Sequence, residues 1–316
     1  MAQASKVTIV EVGPRDGFQM EKTFIPTESK IAIINAVARS GVPKIEATSF
    51  VSPKAIPSMR DAQEVMEGIE RRPGTAYTAL VPNLKGAQRA FSAGVDAIRV
   101  VLCSSEAYNQ RNVHMSVAES LKTCEEILQT GRAASTAVEA VVALAFGCPL
   151  EGDIAEEKVV ELTRRLAEMG YREISIADSA GLANPAQVRR LMRRLVREFP
   201  DVHFSMHIHN TRGLGLANVL AALEEGIDAF DSSLGGLGGC PVVPGARGNI
   251  PTEDLVNMLE EMGIKTGVDV EGVMVASRVA QDVLERTLPS YVLAAGTRQQ
   301  LYRNIEERER EKSVTR

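Results

Sequence analysis

Charged and imidazole side chains stand in this chain where short apolar runs stop. In "TIVEVGPRDGFQMEK" the run ends at Gly13-Pro14 and is followed at once by Arg15 and Asp16. In "HFSMHIHNTRG" His207 and His209 are two apart, a spacing that sends both imidazoles from the same face of a strand. Glu46 in "KIEATSF", Asp178 in "SIADSAG" and, beyond the last such run, Asn249 in "GARGNIPTEDL" are further polar groups at the same level. A carboxylate from Asp16, two imidazoles and the Asn249 amide, with no thiolate among them, suit Mg²⁺ or Mn²⁺ better than a structural zinc and leave positions open. Cys240 lies in the Gly-rich segment "LGGLGGCPVVPGARGN". A thiol on such a loop above a metal is suited to act as acid or base on closure. Each group also has an ordinary reading: a surface ion pair for Arg15 and Asp16, a cap or turn residue for Asp178 or Asn249, flexibility for the loop. Their joint arrival at strand ends favours a site. His114 and His203 lack such company and read as structural or surface residues.

The elements that position these groups follow from periodicity. Eight β-type runs occur at 7–13, 44–50, 75–81, 97–103, 139–147, 173–179, 203–209 and 229–236. They start about every 32 residues, the spacing of strand–helix units. Helical patterns lie between them. Ile31, Ile34, Val37 and Ala38 share one face ahead of Gly41; Ser116 and Glu119 form a capping box; Asn184 and Pro185 open a helix with Val188, Leu191, Leu195 and Phe199 on its apolar face. Eight alternating units predict an α/β fold, a (β/α)8 TIM barrel over residues 1–265, followed by a C-terminal helical extension and charged tail over 266–316. In such a barrel catalytic groups sit at the C-terminal ends of the strands, which puts Arg15 and Asp16 on the rim of the mouth. An open doubly wound sheet is disfavoured because no G-x-G-x-x-G follows the first strand. The extension reads as a lid or oligomer contact, and "YRNIEEREREKSVTR" reads as a frayed or disordered end.

Composition narrows the function. A net charge of −5 and 4% aromatic residues without Trp supply neither the basic patch nor the stacking platforms of a nucleic-acid binder. No apolar run approaches the ~20 residues of a membrane span, and the N-terminus lacks a signal-type segment. The expectation is a cytoplasmic homo-oligomer acting on a small molecule. Cys103, Cys124, Cys148 and Cys240 are widely spaced, which favours reduced thiols.

"EVGPRDGFQMEK", "IEATSFVSPK", "VPNLKG", "FGCPLEG", "HIHNTRG", "GLGGCP" and "GARGNIPTEDLV" closely resemble 3-hydroxy-3-methylglutaryl-CoA lyases, members of a divalent-metal TIM-barrel lyase and synthase superfamily. The resemblance runs from about residue 7 to 265. It implies Asp16, His207, His209 and Asn249 as metal ligands, Arg15 as the group that meets the thioester enolate, Cys240 as the thiol that moves a proton, and Glu46 and Asp178 as active-site carboxylates. Gln19, Lys22 and Ser175 match positions around the substrate. The implied reaction is cleavage of an acyl-CoA, coenzyme A being part of the substrate, into acetyl-CoA and acetoacetate.

The sequence departs from the family pattern in places. Asn210-Thr211-Arg212 replaces Asp-Thr-Tyr, Met20 replaces a common Asn, and Glu139 and Val141 replace an Arg and a Tyr. Loss of that cation and hydroxyl, with Arg212 offering a cation elsewhere, raises citramalyl-CoA as an alternative substrate. A condensing synthase and a non-catalytic metal-binding barrel are the other readings, and retention of Arg15, Cys240 and a full ligand set disfavours the last.

Overall fold

Eight parallel strands pair in sequence order and close on themselves: β1 (Thr8–Glu11), β2 (Lys44–Ser49), β3 (Ala76–Val81), β4 (Ala97–Cys103), β5 (Ala137–Ala143), β6 (Glu173–Asp178), β7 (His203–Ile208) and β8 (Ala229–Ser232). The computed structural model describes residues 5–239 and 245–314, with side chains as far as residue 307. Helices α1 (Thr27–Arg39), α2 (Ala62–Gly68) and α3 (Leu84–Ser92) follow the first three strands, and α4 (Glu106–Val113) and α5 (Val117–Ala133) both follow β4. The outer ring is completed by α6 (Glu156–Met169), α7 (Pro185–Glu198), α8 (Gly215–Leu223) and α9 (Thr252–Glu261). The local signals act as the sequence predicts: Ser116 and Glu119 cap α5 reciprocally, Asn184 and Gln187 do the same for α7, and Gly170 ends α6 in the left-handed region. The helices bury one apolar stripe each against the outward faces of the strands, where Ile9, Ile45, Ile98, Ile174 and Phe230 are buried.

Strand ends differ from the expected spans for local reasons. β1 stops at Glu11, because Gly13–Gly17 winds into a wide helical turn in which the amides of Arg15 and Asp16 both donate to the carbonyl of Val12, at 3.1 and 2.6 Å. β5 begins two residues early and ends at Ala143, and β8 ends at Ser232 ahead of the Leu234–Gly236 turn. Gly235 is left-handed there, with φ 60°, and a Cβ on it would meet Leu288 Cδ1 at 2.3 Å.

Buried carboxylates hold these ends together. Glu11 Oε1 accepts from the amides of Gly13 (2.7 Å) and Leu234 (2.9 Å), and Oε2 accepts from Thr252 Oγ1 (2.6 Å), so one side chain ties the exits of β1 and β8 to the start of α9. Burial pushes the Glu11 carboxyl from 4.5 up to about 8, against the lowering effect of its hydrogen bonds. The folded state then keeps a proton that the unfolded chain has released. This contribution to stability is whole below about pH 4.5 and is lost as pH rises to about 8. Glu253, pushed up to about 7 by burial, adds a slope of the same sign. Glu11→Gln, which keeps the acceptor for the two amides, is expected to flatten the fall of the unfolding midpoint across this window without abolishing it. Thermal unfolding at stepped pH checks this; an unchanged slope contradicts it.

The segment beyond α9 is integral to the barrel. α10 (Val270–Leu284) packs against α1, and α11 (Tyr291–Ala295) is tethered by Asp254, which accepts from Ser290 Oγ and from the amides of Tyr291 and Val292. The charged tail, expected as a disordered end, is instead the helix α12 (Arg298–Val314). Its strong helix formers and alternating charges support it. Arg298–Glu261 and Arg303–Glu271 ion pairs fasten its first turns. No helix among the described residues is long and apolar enough to cross a membrane.

Candidate active site

The C-terminal ends of β1, β2, β6 and β7 and the segment after β8 bring the predicted groups to one mouth. Asp16 is its hub. Its Oδ1 accepts from Arg15 Nη1 (2.5 Å) and Gln19 Nε2 (3.2 Å), and its Oδ2 from Asn249 Nδ2 (2.7 Å). The same Oδ2 lies 3.5 Å from His209 Nε2 and 4.0 Å from His207 Nε2, and the two Nε2 atoms are 3.0 Å apart. Asp16, His207 and His209, all buried, are the one group of three His, Cys, Asp or Glu side chains among the described residues that could hold a metal ion, with candidate ligand atoms within 4.8 Å of one another. Asn249 is paired with His209 across an isolated bridge, and its Oδ1 is buried without a hydrogen-bond partner. An orphaned acceptor costs about 1–3 kcal/mol. Two imidazole nitrogens and a carboxylate oxygen lie together, with an amide beside them whose oxygen is unpartnered, and this is the donor set a divalent cation would satisfy. The residues fit the metal that the sequence implies.

Backbone geometry guards this point. Gly238 has φ +115°, and a Cβ on it would come within 2.7 Å of Asn249 Nδ2 and 3.3 Å of Asp16 Oδ2. Gly248, with φ +59°, leaves room for the carbonyls of Gly236 and Gly238 at 2.7 and 2.8 Å. Gly238 therefore gives close approach to Asp16 and Asn249, and Gly248 close approach of backbone to backbone, besides freedom of turn.

Electrostatics separates the carboxylates. Burial pushes Asp16 up, but the Arg15 guanidinium, the hydrogen bond with His209 and the charge of His207 hold it well below the usual carboxylate range. Glu46 is fully buried; its Oε2 accepts from Arg15 Nε at 2.6 Å, and its Oε1 has no partner. Arg15 is thus gripped on two edges by two carboxylates, which outweigh its own burial and keep it charged. Asp178 behaves differently. Its two oxygens accept from the amides of Leu182 (2.8 Å) and Ala183 (3.0 Å), fixing the loop that enters α7, and burial raises it despite the nearby histidines.

The remaining predicted residues are distributed unevenly. Lys22 is exposed on the segment after Met20 at the rim. Arg212 is exposed, and its Nη1 donates to the carbonyls of Gly181 (2.9 Å) and Ala180 (3.3 Å), tying two rim loops together. Ser175 is not at the mouth. It sits one layer deeper, paired with Ser205 where Ala177 is paired with His207, and lines a small cavity with Lys44, Arg99 and Glu139. Cys240 lies outside the described residues.

Glu139 corrects another expectation. As the third residue of β5 it lies low in the barrel, where it accepts from Lys44 Nζ and from Arg99 Nε (3.0 Å). Its carboxylate is neutralised in place by these two cations. Arg99 and Asp231, which join it, are residues the sequence reading passed over. The available signal was a charge in the middle of an otherwise apolar strand, "AIRVVLC" and "AFDSSLGG". Away from the mouth, His203 pairs with Glu173 (2.7 Å) and Asp228 (2.8 Å), which raise it to about 9. Cys103, Cys124 and Cys148 are buried free thiols.

The family model described as HMGL-like matches residues 6–280. The hydroxymethylglutaryl-CoA lyase of Bacillus subtilis strain 168 is 44% identical over 290 residues, covering 92% of this chain and 97% of that protein. The mitochondrial hydroxymethylglutaryl-CoA lyase of Gallus gallus is 43% identical over 293 residues, with coverage of 93% and 98%. A solved HMG-CoA lyase from Acinetobacter baumannii, in complex with coenzyme A and 3-methylmalate, superposes with a TM-score of 0.90 at 44% identity, over 94% of this chain and 97% of that one. The carboxyl transferase domain of Rhizobium etli pyruvate carboxylase, 20% identical with a TM-score of 0.67, shares the fold alone.

Proposed function

The chain belongs to the HMGL-like family, alongside the hydroxymethylglutaryl-CoA lyases, and from that premise we propose that it cleaves 3-hydroxy-3-methylglutaryl-CoA to acetyl-CoA and acetoacetate. The observation that carries this reading is the convergence of Asp16, His207, His209 and Asn249 beside the doubly gripped Arg15.

Cleavage requires loss of the tertiary hydroxyl proton, rupture of the neighbouring C–C bond and acceptance of the electron pair by the thioester as an enolate. Mg²⁺ or Mn²⁺ held by Asp16, His207, His209 and Asn249 would supply Lewis acidity toward the substrate oxygens, worth several kcal/mol of charge stabilisation. Arg15, fixed through Nε and Nη1, presents a permanent cation to the thioester oxygen on which charge develops. Glu46 orients Arg15 with one oxygen and keeps the other as an acceptor for a substrate proton. Cys240 is the proposed donor of the proton that completes the acetyl-CoA methyl group. Asp178 fixes the loop beside the histidines, and Gln19 steadies Asp16. Lys22, an exposed cation at the rim, suits an anionic acyl-CoA. Ser175 stands in the layer beneath the histidines.

The methylglutaryl substrate leads over citramalyl-CoA for two reasons. The relatives matched along nearly the whole chain are hydroxymethylglutaryl-CoA lyases. Of the two strand-5 departures behind the alternative, the Glu139 charge is taken up inside the barrel by Lys44 and Arg99. Release of acetyl-CoA from both thioesters, compared for the wild type and Arg212→Ala, tests this. The expected result is preference for the methylglutaryl thioester, kept to within about threefold in the variant because Arg212 acts on loop carbonyls. A citramalyl-CoA preference that collapses in the variant overturns it. Two lesser assignments complete the proposal. Three buried free thiols support a reducing, cytoplasmic setting. Exposed Leu301, Tyr302 and Ile305 on α12 support a homo-oligomer contact.

A further inference from the structure

Five ionisable side chains form an unbroken chain through the barrel interior, from its floor to a metal-ligating histidine. Lys44 Nζ donates to Glu139 Oε1, and Glu139 Oε2 accepts from Arg99 Nε at 3.0 Å. Arg99 grips Asp231 with both terminal nitrogens, Nη1 to Oδ2 at 2.6 Å and Nη2 to Oδ1 at 3.1 Å. Asp231 Oδ2 lies 3.0 Å from His207 Nδ1, the two residues being direct cross-strand partners of β7 and β8. Arg99 and Asp231 are 2% and 1% exposed. Burying an ion pair stabilises a fold little relative to apolar packing, so the arrangement calls for a local purpose.

We propose that Asp231, clamped by Arg99, is a positioning residue that holds His207 in the ring orientation and tautomer needed to ligate the metal. This rests on the metal reading given above. Both oxygens of Asp231 already accept from Arg99, so Oδ2 meets His207 as an acceptor, the hydrogen between them belongs to His207 Nδ1, and the Nε2 lone pair is left facing Asp16 and His209. The bidentate grip stops the carboxylate from rotating away, and Glu139 with Lys44 holds the other edge of the guanidinium. His209 has no such support, since its Nδ1 is buried without a partner. The two histidines therefore differ: His207 is held from its Nδ1 side by Asp231, whereas the ring contacts of His209 are made through Nε2, with His207 at 3.0 Å and Asp16 Oδ2 at 3.5 Å.

Asp231→Asn is the discriminating substitution. The amide oxygen turns to the Arg99 cation and the amide nitrogen donates to His207 Nδ1, which forces the hydrogen onto Nε2 and removes the ligating lone pair. Two readouts apply. In metal-free protein with ¹⁵N-labelled histidine, at a pH where the ring is neutral, His207 is expected to change from the Nδ1–H to the Nε2–H pattern. In Mn²⁺ binding followed by electron paramagnetic resonance, affinity is expected to fall roughly 10- to 100-fold, with Arg99→Lys in between. Tyr171→Phe, which loses a buried hydrogen bond to the Cys124 carbonyl far from this chain of charges, serves as the stability control and is expected to keep Mn²⁺ affinity within about twofold. A folded Asp231→Asn that keeps the Nδ1–H pattern and wild-type Mn²⁺ affinity overturns the proposal, as does an equal loss in Tyr171→Phe. If Asp231→Asn does not fold, Arg99→Lys decides by the same two readouts, unchanged values overturning the proposal. A wild-type chain that binds no Mn²⁺ overturns the metal reading, and the tautomer measurement still decides the role of Asp231.

Discussion

Asp16→Ala is expected to lower kcat by on the order of 10⁴-fold and to abolish detectable Mn²⁺ binding, the largest effect of any single substitution in this chain. The estimate rests on metal-ion charge stabilisation of several kcal/mol, each 1.4 kcal/mol being tenfold in rate. Asp16 also anchors Arg15, Gln19 and Asn249, so its removal disorders groups that the metal does not touch. Equilibrium Mn²⁺ binding together with single-turnover kinetics checks both halves. A variant that binds Mn²⁺ as tightly as the wild type would show that the ligand set lies elsewhere.

Arg15→Met is expected to lower kcat by about 10³-fold while metal affinity changes by less than about tenfold. Loss of one oxyanion donor is commonly worth 10²–10³ in rate, and here two buried carboxylates lose their shared partner as well. Arg15→Lys is expected to restore little, because an ammonium offers no pair of edges to meet Glu46 and Asp16 at once. The split between kcat and KM decides: a rise confined to KM would make Arg15 a binding group with no special hold on the developing enolate.

Much of this was legible in the sequence, and the exceptions share a cause. Strand–helix periodicity announces the barrel because each unit must bury one strand face and one helix stripe, and the His-x-His spacing announces a common face because strand side chains alternate. Asp16 was legible from its place after an apolar run. Glu139, Arg99 and Asp231 were not, since a charge within a strand carries no label for its partner, and theirs come from strands 40 to 132 residues away. The turn at Gly13–Gly17 is held by Glu11 accepting from the amides of Gly13 and Leu234, just beyond β1 and β8, the second contact spanning 223 residues. The tail was misread because its composition suits both a disordered segment and an isolated charged helix, and the deciding contacts, Arg298–Glu261 and Arg303–Glu271, are tertiary.

On the proposed mechanism, Asp16, His207, His209 and Asn249 assemble a divalent-metal site that drives cleavage of a hydroxyacyl thioester. The most direct test is release of acetyl-CoA from 3-hydroxy-3-methylglutaryl-CoA by chelator-treated protein, before and after adding back Mg²⁺ or Mn²⁺. Loss of turnover on chelation and its return in proportion to bound metal, at one ion per chain, is the predicted result; full turnover in metal-free protein would contradict it.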